Sequence, residues 1–136
     1  MENQKVKAKL VIELLGSPKD HVEKTMRMVI DKLKNEKDVR LLKEVTYKAE
    51  QNDKIKPLWS TFSDLDIEVA SLKKLMDVCF DYQPSSVEIV SPDKFELTAE
   101  DYAYLLNEVV AQLHHYSFAA KQLAAENIML KKKDQR

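Results

Sequence analysis

Residues 5–20, KVKAKLVIELLGSPKD, change period once, and that change decides the fold. Val6, Ala8, Leu10, Ile12 and Leu14 alternate with Lys7, Lys9, Val11 and Glu13. Alternation of this kind predicts a strand buried on one face only. Gly16 ends it. Ser17-Pro18 then predicts a helix start, with Ser17 as N-cap, Pro18 at the first helical position and Asp20 in the first turn. Downstream, Val22, Met26, Val29, Ile30 and Leu33 recur at helical spacing, opposite a side of Lys, Glu and Arg. The pattern fades between Asn35 and Lys37.

Working outward, a second strand is expected over Val39–Ala49, followed by a polar loop from Glu50 to Pro57. A third strand falls within Leu58–Val69. Ser63, Leu65, Ile67 and Val69 take one face of it; Asp64, Asp66 and Glu68 take the other. Ser71 is the expected cap of a shorter helix that turns Leu72, Leu75, Met76 and Cys79 inward. That helix stops by Gln83, because the residue before Pro84 avoids the helical region. Val87–Val90 reads as a short fourth strand, and Ser91-Pro92-Asp93-Lys94 as a turn.

The order β-α-β-β-α-β-α is that of an α+β protein. Its first six elements resemble the split β-α-β, or ferredoxin-like, arrangement. The resemblance implies spatial strand order 4-1-3-2 in a sheet antiparallel overall, with both helices on one face. It also implies that the first and third strands are central, parallel neighbours. Lys7 and Lys9 would then lie beside Asp64, Asp66 and Glu68 on the open face, opposite charges across one strand pair.

Thr98 to Lys133 reads as one long helix. Thr98 and Asp101 approximate a capping box, and Lys131, Lys132 and Lys133 sit at the cation-favouring end. At ~1.5 Å per residue it extends roughly 50 Å, against about 26 Å across a compact domain built from the preceding residues. The division expected is therefore a ferredoxin-like domain over residues 4–98 and an amphipathic, coiled-coil-like helix over residues 99–133. Apolar positions alternate four and three apart. Leu106, Leu113, Ala120 and Asn127 take heptad position a; Tyr102, Val109, Tyr116, Leu123 and Leu130 take d. A single Asn at a fixes register at some stability cost. Leu105, Gln112 and Ala119 at g, with Ala103, Val110, Ser117 and Ala124 at e, widen the stripe.

Composition excludes more than it assigns. Over 136 residues, 22 Lys and Arg against 23 Asp and Glu leave a net charge of −1, so no global attraction to nucleic acid or anionic lipid is expected. One cysteine excludes an internal disulfide framework. The polar start, MENQKVKAK, has no signal-peptide pattern, and no run is long enough to span a membrane. The cytoplasm is the expected compartment.

Five features invite a chemical reading, and each has a plainer one. The carboxylates of Asp64, Asp66 and Glu68 would suit a hard cation or an acid–base pair; a solvated, lysine-paired face accounts for them equally. His114 and His115 diverge by about 100° on a helix, too far to chelate one ion. Cys79 on an inward stripe is a structural thiol. Trp59 and Phe62, near Tyr47, Lys48, Lys54 and Lys56, outline an aromatic-basic platform for single-stranded nucleic acid. The acidic row beside it would repel phosphate. Gly16, Ser17 and Lys19 form a strand-to-helix turn of the kind at which ACT-type sensing modules of this fold hold small metabolites.

No cofactor and no catalytic residue emerges from this reading. The expectation is a non-enzymatic interaction or assembly protein that forms a homo-oligomer, or binds a protein partner, through its C-terminal helix. The interface residues would be Leu106, Val109, Leu113, Tyr116, Ala120, Leu123, Asn127 and Leu130. The alternatives are an ACT-like metabolite-sensing domain, a nucleic-acid-binding module, and an enzyme whose site assembles between subunits.

Overall fold

The computed structural model describes residues 4–51 and 57–134. In chain order these form β1 (Val6–Gly16), α1 (Lys19–Lys34), β2 (Val39–Thr46), β3 (Glu50–Gln51), β4 (Trp59–Val69), α2 (Leu72–Tyr82), β5 (Ser86–Ser91) and α3 (Ala99–Asp134). Two compact units divide the chain, residues 1–96 and residues 97–136.

The first unit is an antiparallel sheet in the order β2-β4-β1-β5, with the two-residue β3 paired to β4 outside that path. This is the expected α+β, ferredoxin-like order. One detail is corrected. The central strands β1 and β4 are antiparallel, Val6 facing Val69 and Gly16 facing Trp59. The reason is connectivity. The α1 crossover brings β2 back in the direction of β1, and the chain must then reverse to lay β4 between them. The split pair is β1 and β2; the strand that splits it runs against both.

Alternation along β1 and β4 sorts the core. Val6, Ala8, Leu10 and Ile12 from β1 join Leu65, Ile67 and Val69 from β4 in one buried cluster. Met26, Ile30 and Leu33 of α1 and Leu75 and Val78 of α2 cover them from one side. At about 2 kcal/mol for each large apolar side chain removed from water, this cluster is the main stabilising term of the unit. Val78 is fully buried although the helical stripe read from sequence passed through Met76 and Cys79, which are only half-buried. The α2 axis is rotated so that Leu75 and Val78, three residues apart, face the sheet.

Two local features differ from expectation. Ser17 does not cap α1. Pro18 holds the N-cap place in an extended conformation, φ −75° and ψ 177°, with no side-chain cap hydrogen bond. The extended proline starts the helix one residue late, at Lys19, which leaves Ser17 out of reach. The second strand ends at Thr46, and Glu50–Gln51 pair with β4 where a loop was expected. Gly16, the only glycine in the chain, has a packing reason. A Cβ there would come within 3.1 Å of Val22 Cγ2.

Other signals hold. The Ser71 hydroxyl accepts from the Lys74 backbone N–H at 3.1 Å, capping α2. Gln83 closes that helix in the left-handed region at φ 46°. Glu44 of β2 accepts from Arg27 of α1. Its burial pushes its pKa up, but the hydrogen bonds from Arg27 and Thr46 and the charges of Arg27 and Lys34 outweigh that and hold it below the usual carboxylate range. Glu36 accepts from the Tyr82 hydroxyl at 3.0 Å and from Lys74 at 3.4 Å, and these bonds also lower its pKa. Burial, and then the bond to Glu36, push the Tyr82 hydroxyl well up.

Candidate interaction surface

The second unit is α3, 36 residues long, or about 54 Å of helix. Its start is a reciprocal capping box. The Asp101 backbone N–H donates to Thr98 Oγ1 at 3.1 Å, and the Thr98 N–H donates to Asp101 Oδ2 at 3.2 Å. Two of the helix's orphan donors are thereby satisfied. Glu100 and Asp101 in the first turn and Lys131, Lys132 and Lys133 in the last complement the helix dipole. The end signals read from sequence therefore account for where the helix starts and stops.

No residue of α3 is buried. Leu106, Leu113, Leu123 and Leu130 are each about 60% exposed, and Tyr116 is 43% exposed. Ala120 and Asn127 are exposed, and Val109 is half-buried. All the seam residues named from sequence thus lie on one long helix whose apolar side chains are open to another surface. The sequence reading missed part of that surface. Tyr104 and Phe118, both at heptad position f, are exposed as well, as are Ile128 and Met129 at b and c. For Tyr104 and Phe118 the signal was present as a spacing of two heptads opposite the seam. It was overlooked because the a/d alternation alone already accounted for a helix. A helix with apolar residues on more than one side is of the kind found buried inside a larger structure. The exposed apolar residues of α3 make it a candidate interface; they do not identify the partner.

The open face of the sheet is of a different character. Across it Glu88 faces Lys9, Lys9 faces Asp66, and Asp66 faces Lys43, a row of alternating charge through β5, β1, β4 and β2. Glu68 pairs with Arg40 at 3.2 Å and Lys5 at 4.0 Å. Asp64 accepts from the Tyr47 hydroxyl at 3.1 Å, which raises the tyrosine's pKa. Lys9, Lys43, Asp64, Asp66 and Glu88 line a shallow depression of about 390 Å³. The three carboxylates therefore have basic or hydroxyl neighbours, and no group of three or more metal-ligating side chains occurs among the described residues.

The remaining candidates are dispersed. Trp59 lies on the alternation with Thr61 and Ser63, both fully buried, while Phe62 lies with Asp64 on the open face. The two rings point to opposite sides and do not form one platform; Lys54 and Lys56 lie outside the described residues. At the turn after β1, the Lys19 ammonium sits 5.6 Å from the Trp59 ring centroid, a cation–π arrangement that already occupies it. Gly16 is committed to packing against Val22. His114 and His115 are exposed, and His115 meets Tyr116 edge-on with centroids 6.0 Å apart. Burial pushes the Cys79 thiol up in pKa, the opposite of what a nucleophile needs. Among the described residues, no helix is long and apolar enough to cross a membrane.

The family model of the MJ0538 family matches residues 7–134, through both units. The chain belongs to the MJ0538 family. The match runs to the end of α3, so it covers the long helix as well as the sheet. No curated protein matches the sequence. The family's description names no reaction or ligand.

Proposed function

We propose that this MJ0538-family protein is a non-enzymatic assembly module that uses α3 to oligomerise or to hold a protein partner. One observation carries the reading. Along 36 residues of helix nothing is buried, while four leucines and a tyrosine of one heptad seam stand open. Each leucine left in water forgoes about 2 kcal/mol relative to burial, so covering several of them supports a stable complex. The sheet unit would supply a rigid, charge-balanced body to which the helix is attached.

Native mass spectrometry of the full chain tests this beside Leu113→Asp and Leu123→Asp. The expected result is a complex for the natural sequence and its loss in both variants, since each places a carboxylate in the seam. Unchanged complexes in both variants would remove the seam from the account. A natural chain that stays a monomer and captures no protein would end the reading altogether.

A further inference from the structure

The occupant of the α3 seam follows from how charge and side-chain size are distributed along it. The first half, residues 99–116, carries Glu100, Asp101 and Glu108 and no Lys or Arg, a net charge of −3. The second half, residues 117–134, carries Lys121, Lys131, Lys132 and Lys133 against Glu126 and Asp134, a net charge of +2. A second copy laid parallel would place three lysines beside three lysines and acid beside acid. Laid antiparallel, it places the acidic first turn of each helix beside the basic last turn of the other, and opposes the two helix dipoles.

We infer that α3 pairs antiparallel with the α3 of a second copy, about a two-fold axis between His114 and His115. This rests on the proposed assembly through α3 and adds its partner, direction and register. In this register heptad a meets d. Leu106 packs against Leu123 of the second copy, and Leu113 against Tyr116, each layer occurring twice. Val109 meets Ala120, so the smallest seam residue faces a β-branched one. Asn127 falls opposite Tyr102, where the amide and the phenol can hydrogen-bond. A parallel pair would instead stack Ala120 on Ala120, leaving a void, and Tyr116 on Tyr116. The flanks agree as well. Ala103 faces Ala124 and Val110 faces Ser117, small side chains that let the helices approach. Within residues 99–130, the stretch that overlaps in this register, Glu126 is the one charged residue at an e or g position, so no like-charge contact opposes the pairing.

The test uses the full chain with Cys79→Ser and Ile128→Cys, carrying a spin label at position 128. That position lies off the seam. The antiparallel register separates the two labels by about 40 Å along the axis. A parallel pair holds them within roughly 20 Å, the width of two packed helices with their labels. A distance near 40 Å in a dimer is the expected result. A short distance in a dimer overturns the direction and leaves the assembly function standing; a monomer at every concentration overturns the pairing, and overturns the assembly function as well when the chain captures no other protein. A second measurement needs no substitution. Antiparallel pairing of opposite charges is screened by salt, so the dimer should weaken several-fold between low and high ionic strength. Tightening with added salt would mark like charges brought together, and would also overturn the inference.

Discussion

Leu10 and Leu113 are the same side chain in two situations. Leu10 is 1% exposed, closed in by β4, β5 and the helices above them; Leu113 is 60% exposed on α3. In the first unit the apolar face of β1 and β4 meets α1 and α2 within the chain, because a sheet with two helices on one side is a complete pair of layers. A single helix is half of such a pair. The difference teaches that apolar periodicity reports which side chains need cover, and says nothing by itself about which chain provides it.

That contrast is open to direct attack. The largest effect should come from the sheet unit. Ile30→Ala removes a fully buried side chain and should cost about 2–5 kcal/mol, read as a lower urea midpoint, while the mass of any complex is unchanged under folding conditions. A change of oligomeric state would mean that the two regions are not independent. Leu113→Asp should do the reverse. It weakens assembly by about 2 kcal/mol or more per copy and leaves the near-ultraviolet signal of the Trp59 environment as it was.

Smaller effects sharpen the boundary between the units. Thr98→Ala removes one side of the α3 capping box and should cost about 1 kcal/mol, seen as faster amide exchange in the first turn of α3 and unaltered exchange in β1 and β4. The smallest effect is electrostatic. Glu44 has a folded-state pKa below its unfolded value. Its contribution is therefore fully present above the unfolded pKa and is lost as pH falls through the folded one. Glu44→Gln should lower stability at neutral pH by up to about 1 kcal/mol. The variant and the natural chain should converge in urea midpoint as pH falls through and below the folded-state pKa. A constant offset between them across that range would assign the effect to packing.

What was legible in the sequence was whatever a single period encodes. The alternation of β1 and β4 gave their buried and open faces residue by residue; the strand order came from the resemblance of the element order to the ferredoxin-like arrangement. The Ser71 and Thr98 caps could be read because their partners lie three residues away. Features set by two elements meeting were not legible. The direction of β4 against β1 depends on a hairpin with residues between its strands. Val78 displaces Met76 from the core because of how α2 is rotated on the sheet. The separation of Trp59 and Phe62 onto opposite faces could have been read, since an odd spacing of three cannot share one side of a strand. Of the candidate surface, the seam was legible and the Tyr104–Phe118 side was not weighed, because a helix needs only one apolar stripe to be recognised.

Cys79 has a practical consequence. It is the chain's single thiol, half-buried on α2, and burial pushes its pKa up, which disfavours the reactive thiolate. Only the thiolate is alkylated, so an aqueous reagent should react mainly when α2 lifts from the sheet. The natural protein therefore carries a clock for its own local opening, and the rate of mass gain with an alkylating agent would report how often the second helix lets go.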